Sequence, residues 1–156
     1  MTRITIEPFT VDHAAAVVDG DRHATWAEGY PTDGDVEVAE RLLSGEWSLP
    51  ADGSPWHAWR VIDETGTVVG GVGFHGPPSD GDVEIGYGIA EGVRGRGIAT
   101  LAVGRTLDLA RAAGAHRVVA GTDPDNAASQ RVLEKCGFTR TPAEGDEIRW
   151  ELVLSD

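Results

Sequence analysis

Residues 83–122 constrain the fold more than any other part of this chain. "VEIGYGI" (83–89) has the period-2 pattern of a strand, and a glycine- and arginine-rich turn, "EGVRGRG" (91–97), follows it. A helical run continues to about Ala113, with Gly114 placed beyond its end as a C′ residue, and "HRVVAGT" (116–122) is a short buried strand. A strand, a helix and a second strand of these lengths make a crossover, and a crossover within one sheet implies a parallel pair.

The segments before it alternate differently. "TRITIEPF" is a first strand, and "PWHAWRVID" and "TVVGGVGFH" form a hairpin across the turn "ETG". Two short helices intervene. One follows Thr10 as N-cap and ends before Gly20; the other is "DVEVAERLLSG", with Val38, Leu42 and Leu43 facing inward. After the crossover, "DPDNAASQRVLEKCG" is a helix starting near Pro124 and stopped by Gly137. "FTRT" and "EIRWELVL" close the chain as strands, the second alternating Ile148, Trp150, Leu152 and Leu154. The order β-α-α-β-β-β-α-β-α-β-β describes a mixed α/β (α+β) chain. With no repeat or linker, residues 1–156 are expected to form a single domain.

The net charge of −13 argues against a nucleic-acid partner and favours a cationic one. Cys136 is the only cysteine, so no internal disulfide can form. The N-terminus lacks the apolar core of a signal peptide, and no run approaches the roughly 18 apolar residues of a membrane span. The expectation is a cytoplasmic protein without membrane contact. No His, Cys or Asp cluster has metal-ligand spacing, so no metal is expected.

The glycine-arginine turn resembles several anion-binding loops. Gly92 and Gly97 have Walker spacing, but Ile98-Ala99 replaces the lysine and hydroxyl that grip a terminal phosphate. Gly95-x-Gly97-x-x-Thr100 lacks the third glycine of a dinucleotide fingerprint. R-x-x-G-x-A remains, carried by Arg94, Gly97 and Ala99. Small residues let backbone N–H groups approach a diphosphate, the helix N-terminus adds partial positive charge, and Arg94 and Arg96 add side-chain charge.

That loop, together with "NAASQRVLEKCGF" (126–138), resembles the GNAT superfamily of N-acetyltransferases across essentially the whole chain. The wording E-I-G-Y is most similar to the branch of ribosomal-protein N-terminal acetyltransferases. The resemblance implies a seven-stranded mixed sheet with about four helices, splayed between strands four and five. It implies acetyl-CoA as co-substrate, with its diphosphate on Arg94, Gly95, Arg96, Gly97, Ile98, Ala99 and Thr100. The backbone of Tyr87, Gly88 and Ile89 would carry the pantetheine as a pseudo-strand, with Asn126 and Ser129 on its other side. Gly86 and Gly88 fit a bulged strand.

An amine attacking a thioester must be neutral, and the departing thiolate gains a proton. Glu84 is the expected base, through water, with burial raising its pKa; His75 is a second candidate. The family's tyrosine acid and one of its glutamate bases are replaced here by Leu133 and Gly121, so Ser129 is the expected proton donor. The acceptor pocket is expected to use Trp26, Tyr30, His75 and Glu84, with Trp47 clustering nearby. Glu28, Asp33, Asp35 and Glu37 would favour a cationic amine.

The leading expectation is acetyl transfer to a primary amine of a small cationic molecule. Acetylation of a protein N-terminus and a non-catalytic acyl-CoA-binding module are the alternatives. The acceptor, an acyl group longer than acetyl, and a homodimer formed through late strands stay open.

Overall fold

Local signals in the sequence set the helix limits seen in the computed structural model, which describes residues 2–20 and 23–154. Helix α1 (Val11–Asp19) is capped by the Thr10 hydroxyl, which accepts from the His13 N–H, and ends at Gly20 in the left-handed conformation. Helix α2 (Asp33–Ser44) starts in a capping box between Thr32 and Asp35. Helix α3 (Ile98–Ala112) begins at a left-handed Gly97 with no side-chain cap. Helix α4 (Ala127–Lys135) is capped by Asn126, so it starts three residues after the expected Pro124.

The strands are β1 (Ile4–Pro8), β2 (Ala58–Asp63), β3 (Val68–Phe74), β4 (Asp82–Ile89), β5 (Arg117–Thr122), β6 (Thr139–Glu144) and β7 (Glu147–Val153). They form one seven-stranded sheet in the order β1-β2-β3-β4-β5-β7-β6. Every neighbouring pair is antiparallel except β4–β5, which the α3 crossover makes parallel. The expected mixed fold is therefore present. Among the described residues no helix is long and apolar enough to cross a membrane.

Two apolar clusters pack on this frame. The first gathers Phe9, Val17, Trp26, Tyr30, Leu42, Val61 and Ile98. The second places Phe74, Val83, Ile85 and Trp150 against Val103 and Leu107 of α3 and Leu133 of α4. Trp150 is 1% exposed and donates its indole N–H to the Thr122 hydroxyl at 3.0 Å, so its polar edge is satisfied inside the core. Leu43, expected to face inward, is 43% exposed, because the inner stripe of α2 runs through Asp35, Ala39 and Leu42.

Leu133 stands fully buried in the second cluster. Leu133→Ala leaves a cavity there and should cost about 2–5 kcal/mol of unfolding free energy. Urea denaturation of the variant beside the parent chain measures it.

Candidate active site

The site begins where the sheet comes apart. Strands β4 and β5 pair only at Asp82–Arg117, Val83–Val118 and Glu84–Val119. From Ile85 onward β4 keeps β3 on one side and has no strand on the other. The hydrogen bonds His75 N–H to Glu84 O and Ala90 N–H to Val69 O fix the phase of the β3–β4 ladder. Because antiparallel pairs alternate, Gly86 and Gly88 turn their peptide groups toward β3, while Ile85, Tyr87 and Ile89 turn theirs toward the gap. Tyr87 and Ile89 thus turn their backbone toward the gap, where the Ile89 carbonyl meets Arg94 Nε, and Gly88 turns its own toward β3.

On one face of this gap lie the glycine-arginine loop and α4. Gly95 and Gly97 are left-handed, and a Cβ added at either would meet nothing within 4 Å. With no side-chain cap on α3, the N–H groups of its first turn, at Ile98, Ala99 and Thr100, are available to an anion. The Ile98 side chain is buried and anchors the helix. Arg94 folds back so that its Nε donates to the Ile89 carbonyl at 3.4 Å, and Arg96 is exposed. Asn126 uses its side-chain oxygen to accept the Ser129 N–H at 3.1 Å. The Tyr87 hydroxyl donates to the Ser129 carbonyl at 3.0 Å and ties β4 to α4 across the gap. Burial pushes the Tyr87 phenol above its ordinary pKa. The residues present fit a diphosphate followed by an extended chain.

The other face carries a cleft of about 350 Å³ between α2 and the sheet. Its floor is a platform of glycines: Gly71 pairs with Gly88 and Gly73 with Gly86. The register of β3 against β4 runs without a shift, so Gly86 and Gly88 do not form the expected bulge. They are glycines because neighbours sit on them. A Cβ on Gly88 would lie 3.2 Å from the Thr32 hydroxyl, and one on Gly86 would lie 2.7 Å from His75 Nε2. Asp35 rests in the same way on Gly71. Trp47 lines the cleft, stacks on His75 at 6.1 Å and carries the Arg41 guanidinium 4.8 Å above its ring.

Glu84 lies at the head of the gap but is not buried as expected: its side chain is 39% exposed. Arg149 of β7 holds it, with Nη1 3.4 Å from Glu84 Oε2 and 3.2 Å from Glu147 Oε1. Glu147 also covers Gly121, where a Cβ would meet its carboxylate at 2.7 Å. His75 Nδ1 approaches Glu84 at 3.7 Å. Glu84, His75 and Arg149 therefore meet from three strands or strand ends. Sequence spacing gives no sign of Arg149 or Glu147, which arrive through the β5–β7 pairing.

Trp26 and Tyr30 are placed elsewhere. Both are core residues, 7% and 3% exposed, packed edge to face at 5.2 Å, and neither lines the cleft. The Tyr30 hydroxyl lies 2.6 Å from His13 Nε2. Burial drives His13 down to about 4, helped by the charge of Arg60, and drives the Tyr30 phenol upward, so both are neutral at pH 7. Of Trp26, Tyr30 and Trp47, only Trp47 stands at the cleft, where Trp59 of β2 also lines it.

The desolvated carboxylate is Asp35. It is 3% exposed, and burial lifts its pKa from 3.8 to about 6 against the opposing hydrogen bonds from Thr32. A carboxyl whose pKa rises on folding adds stability below its unfolded pKa and loses it as pH climbs through the folded value. The charge costs on the order of 3 kcal/mol at neutral pH. Asp35→Asn keeps an acceptor for Thr32 and removes the charge. It should melt several degrees above the parent at pH 7.5, with the gap closing below pH 4, as thermal unfolding across that range would record.

The family model for the Acetyltransferase (GNAT) domain matches residues 3–139. The chain is 29% identical over 159 residues to the uncharacterized N-acetyltransferase YjdG of Bacillus subtilis (strain 168), covering 97% of this chain and 95% of that one. Among solved structures it is similar to yncA from Salmonella typhimurium with its cofactor acetyl-CoA, at 23% identity and a TM-score of 0.65, over 98% of this chain and 95% of the other. The ribosomal-protein-S5-alanine acetyltransferase of Vibrio fischeri matches at 22% identity and a TM-score of 0.70, over 98% and 94%. A splayed β4, an uncapped glycine-led α3 and a family match over most of its length make this chain a member of the GNAT acetyltransferase family.

Proposed function

We propose that the chain transfers an acetyl group from acetyl-CoA to a primary amine of a small cationic molecule, by direct attack within a ternary complex. The observation that carries this reading is the unpaired edge of β4 beyond Glu84, with an anion-binding loop on one face and an acidic, aromatic-walled cleft on the other. The loop 94–100 receives the diphosphate. The peptide groups of Tyr87 and Ile89 take the pantetheine as an added strand.

Each remaining group has one task. Glu84, oriented by Arg149, takes a proton from the ammonium through a water, leaving a neutral amine. The amine nitrogen bonds to the thioester carbonyl carbon, and the carbon–sulfur bond breaks. The nitrogen sheds its second proton as the amide forms; the thiolate receives its proton from the Ser129 hydroxyl, which takes up the nitrogen's proton in return through water. His75 and Trp47 wall the acceptor. The thioester is already activated, so positioning supplies most of the remaining rate.

Free CoA thiol released from acetyl-CoA, measured across polyamines, aminoglycosides and basic-N-terminal peptides, tests this reading. Turnover with a small amine is expected. Glu84→Gln should lower kcat by about 10²-fold or more and leave acetyl-CoA affinity unchanged. Turnover with peptides alone would favour a protein N-terminus as acceptor. Acetyl-CoA binding without turnover on any amine would make the chain an acyl-CoA-binding module.

A further inference from the structure

A buried acid with no cation beside it is the most unusual charge in the cleft. Asp35 accepts from the Thr32 N–H at 2.9 Å and from the Thr32 hydroxyl at 2.8 Å, and both bonds go to Oδ2. Among the described residues Oδ1 accepts no hydrogen bond. It lies over Gly71 on the floor of the cleft that Asp35 lines, and it is not fully enclosed. A capping box uses only the first oxygen and works at an exposed helix end. Capping explains neither the burial nor the free oxygen.

The surrounding charges leave Asp35 uncompensated. Among the described residues no Arg, Lys or His forms an ion pair with it. Arg60 stands opposite Gly71 on β2, but its guanidinium turns to the Pro8 carbonyl and Glu7. Arg41, one turn and a half along α2, is held by Glu37 and Glu46. From the other elements, Tyr30 and His13 are neutral, and His75 faces Glu84. A buried anion of this kind is stabilised when a cation reaches it.

We infer that Asp35 is the docking point for a second cationic nitrogen of the acceptor, one that stays charged throughout the reaction, so that the acceptor is an aliphatic diamine or a similar two-centre cation. This rests on the reading of the cleft as the acceptor site. A carboxylate stabilises an ammonium and opposes its deprotonation, which suits a nitrogen that does not react. The reacting nitrogen belongs at the other end. Glu84 lies four residues from Gly88, roughly 13 Å along the strand, and Thr32 and Asp35 sit over the Gly88–Gly71 end. Asp35 inside the cleft, and Glu84 just beyond its other end beside the lining residue His75, match a substrate with two separated charges.

The test uses the full chain and three probes, 1,3-diaminopropane, 1,4-diaminobutane and 1,5-diaminopentane, with n-butylamine as the single-charge control. The Asp35 carboxyl carbon is followed by NMR through a pH titration, and probe binding by calorimetry. At least one diamine should lower the Asp35 midpoint by a pH unit or more, because a bound cation favours the ionised form. Asp35→Asn should bind that diamine at least tenfold more weakly, while remaining folded by thermal melting, and the parent should bind that diamine more tightly than n-butylamine. An Asp35 midpoint unmoved by all three diamines, or equal diamine binding by parent and variant, overturns the inference. Neither readout requires acetyl-CoA. A chain that shows the shift but releases no CoA thiol retains this site and loses the proposed reaction. One that acetylates amines with Asp35 unmoved retains the reaction and loses the site.

Discussion

The parallel ladder between β4 and β5 lasts three residues, and the rest of the site follows from its end. A strand that leaves its neighbour inside a sheet exposes peptide groups that ordinary folding would pair. Here the gap is held open from both sides. β3 fixes one edge of β4 from Ile85 to Ile89, and β5 is committed to β7 over all six of its residues. Tyr87 spans the gap with its side chain and bonds α4, so the opening is braced rather than loose.

The two faces of the gap use backbone and side chain in opposite ways. On the α3–α4 face the first-turn N–H groups of α3 have no side-chain cap. Arg94 curls onto the Ile89 carbonyl, and the Ile98 side chain enters the core. On the cleft face the strands have no side chains at Gly71, Gly73, Gly86 and Gly88, and α2 descends far enough to place Asp35 on the sheet. The glycine platform therefore creates the burial that lifts the Asp35 pKa. Glu84, at the head of the gap, lacks such cover and is held instead by Arg149.

Much of this was legible beforehand, for physical reasons. Thr10, Gly20 and Gly114 mark helix ends because capping is settled within three or four residues of chain, whereas α2 starts at Asp33 on a Thr32 cap, two residues before the expected Asp35. The left-handed Gly97 and uncapped α3 answer to the spacing of "RGRGIA" in the same local way. Trp26, Tyr30 and Trp47 looked alike on the page, yet two are core and one is cleft. An aromatic run has no local signal for which side of a sheet or helix pair it will meet.

The sequence by itself determined the order of elements, the parallel pair forced by the α3 crossover, the anion-ready turn and the caps, because each depends on neighbours close in the chain. The tertiary structure alone decided which peptide groups face the gap, that Arg149 and Glu147 reach Glu84 and Gly121, and that Asp35 is buried with no ion-paired cation among the described residues. Those depend on strand phase, on pairing between distant segments and on how closely α2 settles on glycine. Desolvation and ion pairing act through space, and the order of residues along a chain does not carry distance.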